Sequence, residues 1–139
     1  MSTVTESTQR FVADDIVEHV DGRWHFVGVE CSGCGAHFFP KVQICSLCLS
    51  RELTRVHCAR TGRLHSFSTV RMAPPGFAAP YRLAWADLDD GVRAFGQLVP
   101  ADGSEPPVGA PVEVDVVVVR RDADGTEVFG PAFRLVEEG

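Results

Sequence analysis

Cys31-Ser32-Gly33-Cys34 and Cys45-Ser46-Leu47-Cys48 decide how this chain is read. Each is a C-x-x-C pair, and ten residues lie between the two. A C-x-x-C turn lets two thiolates converge on one ion. A second such turn completes a tetrahedral four-thiolate shell, at about 2.3 Å per sulfur for zinc. Gly35, directly after the first pair, suits a knuckle whose backbone must enter positive φ, whereas Leu49 stands at the matching place after the second. The expected cofactor is one structural Zn2+ on Cys31, Cys34, Cys45 and Cys48. Iron in a rubredoxin-like arrangement uses the same ligand set and is the competing metal. Two disulfides, or four buried thiols, are the readings without metal. Four thiolates leave no coordination position for water or substrate, so the site reads as closed and non-catalytic. His37 lies inside the spacer; with four cysteines at hand it reads as a polar residue on a short strand.

Outward from the knuckles, residues 24–30 alternate like a strand leading into Cys31. His37-Phe38-Phe39-Pro40 is a short strand ended by proline, with Phe38 and Phe39 expected as a miniature core over the metal. Residues 53–58 form the next strand. Upstream, residues 10–20 read as a short helix, with Phe11, Val12, Ile16, Val17 and Val20 roughly on one face and Asp14, Asp15 and Glu18 opposite. Asp21-Gly22 closes it, and a helix this short must dock its apolar stripe on something. Residues 1–23 are thus expected as an N-terminal helical segment and 24–60 as a zinc ribbon.

Past Thr61-Gly62 the pattern becomes all β. Strands are expected over 64–72, 81–88, 92–99, 112–120 and 127–135, with Asp89-Asp90-Gly91 as a hairpin turn and Asp122-Ala123-Asp124-Gly125 as another. The 100–111 connection holds four of the nine prolines. One long strand, a hairpin, then a longer connection to two more strands suits a five-stranded Greek-key barrel of the OB type over 61–139. An open sandwich is the competing arrangement. The chain is mainly β on this reading.

The 139 residues are enough for one domain or a domain with a small module, and 45% hydrophobic content supports a buried core. Five cysteines leave Cys58 over once the ribbon is filled, and an odd thiol beside a metal motif fits a reducing cytoplasm. No run of eighteen apolar residues is present, so no membrane span is expected. The net charge of −6 is uneven: −4 over residues 1–30, +5 over 31–72 and −7 over 73–139. Four thiolates on a divalent ion bring the middle segment to about +3. A mildly basic ribbon between acidic segments does not make a polyanion track.

These residues resemble a known family, the acyl-CoA-associated proteins that join a rubredoxin-like zinc ribbon to an OB fold. The resemblance runs from about Trp24 to Leu135. It rests on Cys31-x-x-Cys34-Gly35, Phe39-Pro40 and Cys45-x-x-Cys48, then Thr61-Gly62-Arg63-Leu64 and Ser66-Phe67-Ser68. Tyr81-Arg82-Leu83-Ala84, Leu88-Asp89-Asp90-Gly91-Val92-Arg93, Val108-Gly109-x-Pro111-Val112-Glu113-Val114 and Phe133-Arg134 continue it. Ser46 replaces the usual proline after the third cysteine, and Leu49 the glycine after the fourth. The resemblance implies a small partner of a thiolase-superfamily enzyme (a thiolase, retro-aldolase or acyltransferase). The large partner would supply the catalytic Cys and His, and this chain would support assembly and the acyl-CoA site.

No G-x-S-x-G elbow is present, and no H-x-E precedes the knuckles as a zinc deaminase requires. Cys58 and His57 are strand neighbours pointing to opposite faces, so they form no dyad and Cys58 reads as a small buried hydrophobe. No catalytic residue is assigned. Coenzyme A phosphates would favour Lys41, Arg63 and Arg71 as contacts. Phe38, Phe39 and the apolar loop holding Pro74, Pro75 and Phe77 are candidate partner contacts. The second function class is single-stranded nucleic-acid binding, with Tyr81, Trp85 and Phe95 as a stacking platform. The −7 barrel segment and the single lysine of the chain oppose it.

Overall fold

A computed structural model describes residues 9–13, 15–101 and 105–136. These residues form ten strands and no helix. In chain order they are β1 (Gln9–Phe11), β2 (Val17–Val20), β3 (Arg23–Cys31), β4 (His37–Phe38) and β5 (Leu53–His57). β6 (Thr61–Val70), β7 (Tyr81–Leu88), β8 (Arg93–Val99), β9 (Pro111–Arg121) and β10 (Glu127–Leu135) follow.

β6 to β10 make the barrel. Side chains alternate in and out along them, so Arg82, Ala84, Ala86 and Leu88 of β7 are buried while Trp85 faces out. β6–β7–β8 is an antiparallel meander, β10 then runs parallel beside β8, and β9 closes the ring by pairing with both β10 and β6. The order β6-β7-β8-β10-β9-β6 is that of a five-stranded, partly open Greek-key barrel, and it removes the free edges an open sandwich would carry.

The helix expected over residues 10–20 is not formed. Among its described residues, β1 lies parallel to β10, with Phe11 opposite Phe129, and β2 pairs antiparallel with β3, with Val17 opposite Phe26. The Asp21-Gly22 pair is the loop of a two-residue hairpin, with φ of 53° and 77° at its central residues. Positive φ at both positions is the twist that favours Asp-Gly between right-handed strands. A backbone partner on each side outweighs the helical period of so short a segment, and β-branched Ile16, Val17 and Val20 suit strands.

β3 is the spine of the ribbon. Val29 pairs with Phe38 of β4 on one edge and Arg55 of β5 on the other. Its Phe26 is fully buried and joins the barrel core with Leu64, Leu98, Val112 and Phe133. Phe39 packs towards the barrel. Its ring stacks on Phe26 at 4.8 Å, and Phe26 in turn meets Phe133 edge-on at 5.7 Å. Three aromatic rings thus tie ribbon to barrel.

Candidate metal centre

The two knuckles are built alike. In the first, the Gly35 amide donates to the Cys31 carbonyl at 2.8 Å and the Cys31 amide donates to the Ala36 carbonyl at 2.8 Å. In the second, Leu49 donates to Cys45 and Cys45 donates to Ser50, again at 2.8 Å. Gly35 has φ of 81° and Leu49 of 65°, so both turns close through a left-handed residue.

All four Sγ atoms lie within 4.8 Å of one another. Cys31 and Cys48 are 3.5 Å apart and Cys34 and Cys45 are 3.6 Å apart, with no disulfide. A tetrahedron with 2.3 Å metal–sulfur bonds has sulfur–sulfur edges of about 3.8 Å. The four cysteines can therefore hold a metal ion. The Cys34 amide directed at its sulfur is the main influence holding Cys31 down to about 6. The Ser50 amide favours the Cys48 thiolate, yet the Cys31 sulfur, burial and Cys45 together push Cys48 up to about 12. Sulfurs this close do not ionise together without a cation, and a bound cation deprotonates all four. The Leu47 and Cys48 amides both point at the Cys45 sulfur at 3.4 Å, ready to support its negative charge.

His37 takes no part in this cluster. Its Nδ1 lies 3.0 Å from Asp90 of the β7–β8 hairpin and its Nε2 lies 3.2 Å from Glu30 of β3. The Asp90 hydrogen bond, aided by Glu30, raises the imidazole above its ordinary value. Asp90 also accepts the Ala59 amide at 3.0 Å. A seam cleft of about 420 Å³ lies here, lined by His37, Phe38, Leu47, Asp90 and Arg93 among others.

Of the expected coenzyme A contacts, Arg63 and Arg71 lie at opposite ends of β6 and Lys41 is held in an ion pair. Lys41 donates to Asp15 at 2.7 Å, and Asp15 also receives Arg55. Both cations hold the Asp15 carboxyl well below the usual carboxylate range, Arg55 being the stronger influence. Arg63 reaches the Gly109 carbonyl at 3.3 Å near the start of β6. Arg71 follows the end of that strand, roughly 25 Å away by strand rise. Cys58 is buried, and burial pushes its thiol up to about 12. His57 is exposed and stacks on His25 at 4.4 Å.

Of the partner-contact candidates, Phe38 and Phe39 are half-buried, Pro74 and Pro75 are exposed, and Phe77 stacks on Tyr81 at 5.5 Å. The Arg121 amide donates to the Gly76 carbonyl at 2.8 Å, which pins this loop to the barrel. Sequence reasoning missed the His37–Asp90 bridge and the Asp15–Arg55–Glu18 ion cluster. Both join residues far apart in the chain, and no local pattern announces them.

Known proteins share this architecture. The family described as "ChsH2, C-terminal OB-fold domain" matches residues 55–117. A "DUF35 domain-containing scaffold protein" of Methanocaldococcus jannaschii is 31% identical over 123 residues, covering 86% of this chain and 87% of that protein. "Benzoylsuccinyl-CoA thiolase subunit BbsA" of Thauera aromatica is 34% identical over 128 residues, covering 91% and 88%. Among solved structures, "Ltp2-ChsH2(DUF35) aldolase" superposes with a TM-score of 0.64 at 28% identity, covering 80% of this chain and 84% of that one. With a cysteine ribbon leading into an OB barrel and relatives matched over nearly their whole lengths, this chain belongs to the DUF35 family of OB-fold proteins.

Proposed function

We propose that this chain is a zinc-holding accessory subunit, not catalytic by itself, of a thiolase-superfamily acyl-CoA enzyme. A thiolase, retro-aldolase or acyltransferase is the partner class, and the chain supports assembly and the acyl-CoA site. The carrying observation is the end-to-end similarity to a benzoylsuccinyl-CoA thiolase subunit, 34% over 91% of this chain. The site chemistry agrees. Four sulfur ligands fill a tetrahedral shell, so a zinc ion there stabilises the ribbon and leaves no position for substrate. Among the described residues the one cysteine outside the cluster, Cys58, is buried with its thiol pushed up to about 12, which is not the state of an activated nucleophile. The division into 1–23, 24–60 and 61–139, and a cytoplasmic location, belong to this proposal. Among the described residues, no helix is long and apolar enough to cross a membrane.

The nucleic-acid reading has one feature in its favour, the exposed Trp85–Phe95 pair on β7 and β8. The cations beside it are committed elsewhere: Arg93 pairs with Asp87 at 2.7 Å, and Arg82 is buried over the Phe67 ring. A backbone track needs accessible positive charge. We propose no nucleic-acid partner.

Co-expression with a thiolase-fold subunit from the same genome, followed by size exclusion and acyl-CoA turnover assays, tests the proposal. A stable hetero-oligomer whose activity needs both chains is expected. A large subunit that stays soluble and fully active alone overturns it, as does turnover of an acyl-CoA by this chain alone.

A further inference from the structure

Two apolar cavities, of about 320 and 250 Å³, adjoin across Val12, Phe95 and Pro131, and together they make an apolar groove. At one end the ribbon supplies Phe39 and Pro40 as a wall, and the barrel supplies Trp85. The groove then crosses the outer face of the barrel towards Phe77, Tyr81 and Val119. Trp85 and Phe95 face each other across β7 and β8 with ring centroids 4.9 Å apart, and each stays 44% exposed. Exposed aromatic pairs beside a concave apolar surface are unusual on a monomer and mark docking sites.

Gly96 lies so close to β10 that a Cβ there would come within 2.7 Å of the Pro131 carbonyl. Gly130 lies against the side chains of Val119 and Val12. β8 adds a second feature. Its Arg93-Ala94-Phe95 stretch has β7 on one side, while β10 lies alongside only from Gly96 and pairs with it from Gln97. Among the described residues, a strand edge therefore borders the groove.

Three observations identify the occupant. Among the described residues no charged side chain lines either cavity, so a phosphate, a carboxylate or a basic peptide finds no counter-charge there. The stretches of this chain outside the described residues are Met-Ser-Thr-Val-Thr-Glu-Ser-Thr, Asp-Gly-Ser and Glu-Glu-Gly, with Asp14, and they are too polar to fill it. A strand edge next to apolar pockets recognises extended chain, its main chain meeting the edge and its alternate side chains entering the pockets.

Resting on the accessory-subunit reading, we infer that this groove seats an extended, uncharged apolar segment of the thiolase-fold partner subunit. Because Phe39 and Pro40 come from between the knuckles, the groove is whole only when the ribbon is folded on its ion. Metal occupancy thereby controls docking.

The test uses the full chain and the separately purified partner subunit. Trp85→Gln combined with Phe95→Gln is compared with Met72→Gln, whose residue is 92% exposed and outside the groove. Circular dichroism and metal content establish that each variant is folded. The expected result is a dissociation constant raised on the order of a hundredfold for the double variant and within about twofold for Met72→Gln. Chelation of the metal should weaken the wild-type complex as well. Unchanged affinity in the double variant overturns the groove assignment while leaving the accessory role standing. A wild-type chain that forms no complex at all overturns both. Wild-type dimers that the double variant turns into monomers assign the groove to a second copy. Oligothymidine binding that the double variant loses assigns it to nucleic acid. Either result overturns the partner-segment assignment.

Discussion

Leu49 sits at φ of 65°, where its counterpart in the first knuckle is Gly35 at 81°. A left-handed residue with a Cβ costs roughly 1–2 kcal/mol relative to glycine before glycine's own entropy is counted. A Cβ at Gly35 would meet no atom within 4 Å, so Gly35→Ala reports the backbone penalty alone. It should lower stability by about 1 kcal/mol in denaturant titration of the metal-loaded protein, whereas Leu49→Gly should be neutral or mildly stabilising. His37 gives a prediction in pH. Its folded value is raised above 6.5, so its contribution is complete below pH 6.5 and is lost as pH rises through the folded value. At Asp90 burial opposes ionisation, but His37 and the Ala59 and Val92 amides outweigh it and hold the value below 3.8. Its contribution is complete above that ordinary value and is lost as pH falls through the lowered one. The bridge is therefore strongest between roughly pH 4 and 6.5. His37→Gln should flatten the fall in melting temperature that wild type shows from pH 6 to 8. An equally steep fall in the variant would assign the effect elsewhere.

The β2–β3 hairpin depends on Gly22, which has φ of 77° and open space where a Cβ would stand, with no atom within 4 Å. Gly22→Ala should cost about 1 kcal/mol, read as a lower denaturation midpoint, and the chain's far-UV circular dichroism should lack helical minima. This hairpin is where the sequence pattern misleads. Phe11, Val12, Ile16, Val17 and Val20 satisfy a helical face, yet Asp21-Gly22 is an equally good hairpin signal, and only β3 and β10 as partners decide between them. The barrel was legible because its strands alternate with period two between turns. The expected 81–88 and 127–135 coincide with β7 and β10, while β8 departs by one residue at its start and β9 by one residue at each end. The cysteine set was legible because ligand spacing is local. The groove over Trp85 and Phe95 was not, because Val12, Pro40 and Pro131 reach it from three distant parts of the chain.

For the whole molecule, metal removal should separate the five thiols by environment. With the ion bound, a thiol reagent should find almost none reactive. After chelation four should react, and Cys58, buried and with its thiol pushed up to about 12, should react only on full denaturation. Elemental analysis should give one zinc per chain; iron with a visible charge-transfer band would change the metal, and no metal would remove the site. Chelation should loosen the ribbon while most barrel signal persists, because β6 to β10 close on themselves. Phe26 couples the two parts, since a ribbon residue fills the barrel core between Phe39 and Phe133. The parallel pairing of β1 with β10 has a consequence for biosynthesis. A ribosome delivers Gln9–Phe11 before every other described strand and delivers Glu127–Leu135 last of all. The first strand must therefore wait, unpaired, until the last emerges, and closing so long a loop is among the slower steps available to a small β protein. Its brevity, with polar Gln9 and Arg10 beside a single aromatic, keeps that waiting strand from offering nascent neighbours a long apolar edge.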